Sequence, residues 1–154
     1  MSETVPPYVP QGEVRLALVG EAPGADEVRE GVPFVGRAGR ELDQMLQAAE
    51  INRFDCLLLN VFPWQLLDSK FKGVGTLEAK HQWKTYEGVW VEWARAPVTK
   101  FGTSHAYCPV AWLENALGRL RSHLIQHQPN VVVALGNTAL WALTRATGIT
   151  ALRG

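Results

Sequence analysis

The sequence predicts a three-layer α/β/α domain built on a short parallel sheet, and three observations carry that prediction. Residues 14–19 (VRLALV), 56–61 (CLLLNV) and 131–135 (VVVAL) are continuous apolar runs of strand length, as expected of strands covered on both faces. Segments with apolar residues at helical spacing alternate with them. The resulting order of strand, helix, strand, insert, helix, strand and helix is that of a parallel sheet with helices on each side. With 154 residues, 47% of them hydrophobic and 19% charged, the chain has the size and composition of one domain with a sizeable core.

Taken in order, residues 1–12 hold Pro6, Pro7, Pro10 and Gly12 and read as a flexible tail, leaving 13–154 as the domain. The first run ends at Gly20. The loop that follows, GEAPGADEVREGVPFVG, is too rich in Gly and Pro to be helical throughout. Residues 37–50 place Leu42, Met45, Leu46 and Ala49 on one helical face. After the second strand comes an insert at about 65–107, where Val89 and Val91 alternate with Trp90 and Glu92 and predict a hairpin around 85–93. A helix from Pro109 to about His127 carries Trp112, Leu113, Ala116, Leu117, Leu120 and Leu124. The third strand closes at Gly136, and a last helix is expected over Thr138 to Ala146.

Composition excludes several classes. No uninterrupted apolar stretch reaches the roughly 18 residues of a membrane span, and the N-terminus lacks the charged-then-apolar pattern of a secretory signal. A soluble, cytoplasmic protein with no membrane partner is expected. Cys56 and Cys108 are read as free thiols. The formal net charge is +0, but it is unevenly spread: five Lys/Arg against ten Asp/Glu in residues 1–60, six against five in 61–114, and four against none in 115–154. The basic C-terminal part is the candidate phosphate-facing surface, with an ordinary solvated helix face as the even alternative.

Ligand sites on open parallel sheets form beyond the C-terminal ends of the strands, which here are Gly20 to Gly24, Asn60 to Trp64 and Gly136 to Thr138. GEAPG is not a Walker loop, since the Lys-Ser/Thr pair is missing, and it is not GxGxxG. It does place a carboxylate, Glu21, directly after a buried strand, with Pro23 and Gly24 turning backbone N–H groups toward the same cavity. Phe34 follows between Pro33 and Val35, and Gly36 opens a helix whose N-terminus favours anions. Singly, each candidate has a plain reading: Glu21 a turn residue, Phe34 a core aromatic, Asn60 a strand-end hydrogen-bonder.

Together they are more specific. The stretch GEAPGADEVREGVPFVGRAGRELDQML resembles the first motif of the family 4 branch of the uracil-DNA glycosylase superfamily. DCLLLNVF resembles that family's second strand, ending on an Asn, and CPVAWLENAL with PNVVVALGNTAL resembles its later helix, strand and helix. The resemblance is strong over 14–61, fair over 108–146 and poor over 62–107. It implies a DNA-repair hydrolase that flips uracil out of DNA and cleaves its N-glycosidic bond with an activated water. Carried over residue by residue, Glu21 and the main chain of Ala22 serve catalysis, and Asn60 serves both catalysis and recognition of the uracil edge. Gly20, Gly24 and Phe34 form the substrate pocket, with Phe34 as the aromatic platform. Arg37, Lys70 and Lys72 are candidate DNA contacts. The insert's lysines and its Trp83, Trp90 and Trp93 either bind single-stranded DNA by charge and stacking or belong to a surface hairpin packed on the domain.

The sequence departs from the family pattern twice. Members resemble one another in carrying four cysteines around an iron–sulfur cluster, and only Cys108 stands at such a position, Trp64 occupying another. One thiolate does not hold a four-iron cluster, so no cofactor and no metal are expected. The family's last motif, a His-Pro-Ser after a fourth strand that donates to uracil O2, is matched by none of His81, His105, His123 and His127. The sheet is therefore expected to lack the family's last strand, whether because the chain is truncated or because it is a minimal relative. A monomer acting on uracil-containing DNA, with replication or repair proteins as candidate partners, is the leading expectation. The alternatives are a catalytically weak or inactive DNA-binding or polymerase-accessory module of the same fold, and an unrelated nucleotide-binding domain.

Overall fold

The structure, a computed structural model, describes residues 4–65, 81–86, 89–95 and 107–145. Its central sheet consists of β1 (Leu16–Gly20), β2 (Leu57–Asn60) and β6 (Val131–Ala134), all parallel, in the order β2-β1-β6. Between β1 and β2 run α1 (Ala25–Glu30), α2 (Arg37–Ala48) and a 3-10 turn at Arg53–Asp55. Then come β3 (His81–Tyr86), β4 (Val89–Arg95) and β5 (Tyr107–Pro109), which form a separate antiparallel sheet. The chain continues through α3 (Val110–His127) to β6 and ends its described part in α4 (Asn137–Thr144).

The period of two along each strand decides which helix covers which face. Ala17 and Val19 of β1 and Leu57 and Leu59 of β2 point to one side, where Leu113, Ala116 and Leu120 of α3 and Ala139 and Ala142 of α4 close a buried cluster. Leu18 and Leu58 point to the other side and meet Phe34, Leu42 and Leu46 from the α2 region. The continuous apolar run is thus two alternating half-patterns superposed, and the three-layer α/β/α architecture follows from it.

Several details refine the sequence reading. The Gly- and Pro-rich loop contains the short helix α1, bounded by Gly24 and Gly31. The hairpin expected near 85–93 is longer, with Tyr86 paired to Val89 and His81 to Ala94, and β5 adds a third strand to it. Helix α4 ends at Thr144, two residues before Ala146. In the N-terminal segment, bridges join Tyr8 to Leu58 and Thr4 to Trp64, and Val5 is buried, so this segment lies along the outer edge of β2. Among the described residues β6 forms the opposite edge, and Val131, Val132 and Val133 are exposed there.

Candidate active site

The three strand ends are tied together. Val61 N–H donates to the Gly20 carbonyl and Phe62 N–H to the Glu21 carbonyl, both at 2.9 Å, while Leu135 N–H donates to the Val19 carbonyl at 2.8 Å. β1 is the central strand; the chain leaving it passes to the α2 side, and the chain leaving β6 passes to the α4 side. That divergence opens a crevice at the topological switch point. A cleft of about 550 Å³ occupies it, large enough for a single base.

Of the residues singled out from the sequence, Gly20, Glu21, Ala22, Gly24, Phe34, Arg37 and Asn60 all line this one cleft. Lys70 and Lys72 lie outside the described residues. Gly20 stands where Asn60 and Phe34 converge. A Cβ on it would come within 2.5 Å of Asn60 Oδ1 and 2.7 Å of Phe34 Cε1, so glycine is what lets the amide and the ring share one wall. The Asn60 amide makes no hydrogen bond to any described residue and is free for a ligand.

Phe34 is a core aromatic and a cleft residue at once: it is 9% exposed, packed with Leu18 and Leu42, yet lines the cavity. Its backbone is left-handed, with φ of 58°, which costs a non-glycine residue about 1–2 kcal/mol. Three neighbours hold it there. The Arg53 guanidinium donates to the carbonyls of Phe34 at 3.1 Å and Pro33 at 3.0 Å, and Asp43 orients that guanidinium at 2.6 Å. Gly39 of α2 supplies the space, since a Cβ there would sit 1.9 Å from the Phe34 carbonyl oxygen.

The α2 N-terminus, read as anion-favouring, receives an anion of the protein's own. Glu27 is buried, and its carboxylate accepts from Gly36 N–H at 2.9 Å and Gly24 N–H at 3.0 Å. One side chain thereby fixes both glycine turns of the loop. Glu21 is anchored from another direction, accepting a hydrogen bond from the Thr138 hydroxyl of α4. Glu27, Arg53, Asp43 and Gly39 were not singled out from the sequence, and Thr138 fell within the third strand-end segment, Gly136 to Thr138, without a role of its own. A glutamate three residues after a glycine helix start was the available signal for Glu27; Arg53, Asp43 and Gly39 act through tertiary contacts that no local pattern announces.

The basic C-terminal part is partly committed to structure. Arg145 closes α4 by donating to the carbonyls of Trp141 and Ala142 and lies over the Trp141 ring. His123 and His127 stack one turn apart on α3, and His123 borders a small cavity behind Asn60 rather than the main cleft. Burial first, then Arg119 and His127, holds the His123 imidazole below its ordinary range. Cys56 is a buried free thiol pushed above its ordinary range, chiefly by burial and then by Asp55.

A strand-end cleft on a parallel α/β/α sheet defines a class, and the sequence comparison identifies it. The pattern of the Uracil DNA glycosylase superfamily matches residues 6–152, so the chain belongs to that superfamily. Its similar relatives include the type-4 uracil-DNA glycosylase of Thermotoga maritima, 45% identical over 49 residues, 32% of this chain and 26% of that protein. The type-4 enzyme of Archaeoglobus fulgidus is 44% identical over 55 residues, 36% of this chain and 28% of that one. That of Pyrobaculum aerophilum is 45% identical over 53 residues, 33% and 27% respectively. The matching segment thus spans about a quarter of each relative.

These relatives correct the expectation of a cofactor-free protein. They are type-4 enzymes, the branch whose resemblance implies an iron–sulfur cluster, and kinship with them removes the ground for that expectation. The described side chains do not themselves supply a cluster site. Among the described residues no group of three or more His, Cys, Asp or Glu is arranged to hold a metal, and Cys56 is buried between strand and helix. No described helix is long and apolar enough to cross a membrane.

Proposed function

We propose that this chain is a uracil-DNA glycosylase-type hydrolase whose strand-end cleft receives a uracil flipped out of DNA. The observation that carries the reading is the convergence of the Glu21 carboxylate, the Asn60 amide, unpartnered among the described residues, and the Phe34 ring on one cleft at the switch point. The amide offers an acceptor for uracil N3–H and a donor for O4, and the ring replaces stacking lost when the base leaves the duplex. Cleft charge favours a neutral base over a nucleotide. Among the described residues, Glu21, Asp26, Glu27 and Glu41 line it against the single guanidinium of Arg37, which pairs with Glu41 at 3.4 Å. A phosphate would meet carboxylates and a helix N-terminus already taken by Glu27.

In the reaction, the bond from C1′ to N1 breaks and its electron pair leaves with the base. Positive charge on the sugar faces Glu21, which also orients the attacking water with help from the Ala22 main chain. Water gives its hydroxyl to C1′, and its proton passes by way of the carboxylate to solvent or the departing base. DNA phosphates lie outside the cleft, where Arg37, 89% exposed at its mouth, serves as a contact, with the insert lysines Lys70 and Lys72 as further candidate contacts.

The test is uracil release from single- and double-stranded oligonucleotides by the full chain and by Glu21→Gln and Asn60→Ala. Each variant is expected to lose about 10²-fold or more in kcat/KM. Unaltered cleavage by both would overturn the site. DNA retained at high protein with no abasic product would instead establish the binding-only alternative.

A further inference from the structure

Helix α4 contains two threonines that satisfy their hydroxyls in different ways. Thr144, in the last turn, donates to the Leu140 carbonyl four residues back at 2.7 Å, the usual local solution for a helical threonine. Thr138 sits at the second position of the helix, where no carbonyl of the same helix lies four residues behind it. It is 6% exposed, and its hydroxyl reaches across the crevice to Glu21 Oε2, a residue 117 positions away on the far side of the switch point. Among the described residues this is the one hydrogen bond that either side chain makes.

We infer that Thr138 is the positioning residue of the site: its hydroxyl fixes one oxygen of the Glu21 carboxylate and thereby presents the other to the cleft. The inference rests on the proposed role of Glu21. A glutamate has three rotatable side-chain bonds, and one at the mouth of a cleft samples several rotamers unless something holds it. Thr138 occupies Oε2, leaving Oε1 without a protein partner among the described residues and available to a water or to the charged sugar. The holder is itself held. Its neighbour Ala139 is fully buried in the cluster beneath the sheet, and Leu135, just before the turn into α4, is bonded to Val19 of β1. The carboxylate is therefore placed by the sheet and by α4 together, which makes the third strand end part of the site although Thr138 itself does not line the cleft. A carboxylate displaced by about 1 Å from its productive position costs on the order of 100-fold in rate, while base recognition, which belongs to Asn60 and Phe34, stays intact.

Thr138→Val keeps the shape and removes the donor, and Thr138→Ser keeps the donor and removes a methyl group. In single-turnover uracil release, Thr138→Val is expected to lower the rate of the chemical step about 10- to 100-fold, with affinity for uracil-containing DNA within twofold of the parent. Thr138→Ser is expected within about threefold of the parent in both. Equal losses in the two variants, losses that track melting temperature, or an unchanged rate in Thr138→Val would each overturn the inference. A crystal structure of Thr138→Val reads the same point without turnover: the Glu21 carboxylate is expected in a different or split position, and a carboxylate that stays put refutes the positioning role. If the parent protein releases no uracil, the functional proposal fails on its own, and the structural comparison still decides whether Thr138 positions Glu21.

Discussion

Replacing Arg53 by methionine tests whether the strained turn at Phe34 serves binding or only folding. Methionine keeps an unbranched stem of similar length and removes every donor. The guanidinium side chain is 16% exposed and gives two charge-assisted bonds to the Pro33 and Phe34 carbonyls, while its partner Asp43 is 44% exposed and can be rehydrated. Hydrogen bonds to charged groups contribute about 1.5–3 kcal/mol each, and part of that loss is recovered by water at the freed carbonyls. A net destabilisation of about 2–4 kcal/mol is expected, or roughly 5–15 °C in melting temperature for a chain of this size. Binding should suffer separately. Leaving the left-handed conformation returns about 1–2 kcal/mol to the Phe34 backbone, so an unclamped turn shifts roughly 5- to 30-fold toward relaxed forms. The apparent dissociation constant for free uracil rises by the same factor, because only the clamped form presents the ring. Calorimetric titration with uracil, beside thermal melts, measures both effects. Arg53→Lys, which can keep the charge beside Asp43 but not the two-carbonyl fork, should fall between parent and Arg53→Met. If Arg53→Met melts early yet binds uracil within twofold of the parent, the clamp is structural and the argument linking strain to the platform is wrong.

Two further outcomes follow from the same geometry. Gly20→Ala places a Cβ 2.5 Å from Asn60 Oδ1 and 2.7 Å from Phe34 Cε1, so both must retreat; uracil release should fall about 100-fold or more while stability drops only about 1–3 kcal/mol. Parent-like turnover in this variant would show that the amide and ring need not share the wall. His123 is held below its ordinary value of 6.5, so the unfolded chain takes up a proton before the folded one does. Its contribution to stability is complete above pH 6.5 and declines as pH falls below that value; melting temperatures at pH 7.5 and 5.5 should show the decline in the parent and a shallower one in His123→Gln.

How much of this was legible in the sequence depends on the range of the interaction. The strands announce themselves because Ala17 and Val19 face one layer and Leu18 the other, so burial on both faces leaves an unbroken apolar run. Glu21, Phe34 and Asn60 could be named because strand ends carry the sites of such sheets and because a long motif repeats the family's spacing. Helix α1 was obscured by the glycines that bound it, Gly24 and Gly31 being breakers in composition and caps in structure. Arg53 was invisible for a different reason, which also hid the role of Thr138 within the third strand end. Their partners lie 19 and 117 positions away, and a lone arginine or threonine has no periodicity to betray it.

The loop between β1 and α2 also shows why a familiar phosphate-binding arrangement is here unsuited to an anion, in keeping with the proposed base pocket. A strand, a glycine turn and a helix N-terminus normally leave backbone N–H groups facing a ligand anion. In this chain the Gly24 and Gly36 amides face Glu27 instead, so the positive end of α2 is neutralised from within and the two turns are locked at the cost of their anion affinity. Neutralisation and locking come from one side chain, and together they suit a ligand that is planar, uncharged and read along its edge. On the proposed function, the electrostatic attraction for DNA comes from cations outside the cleft, which separates the group that discriminates the base from the groups that hold the strand.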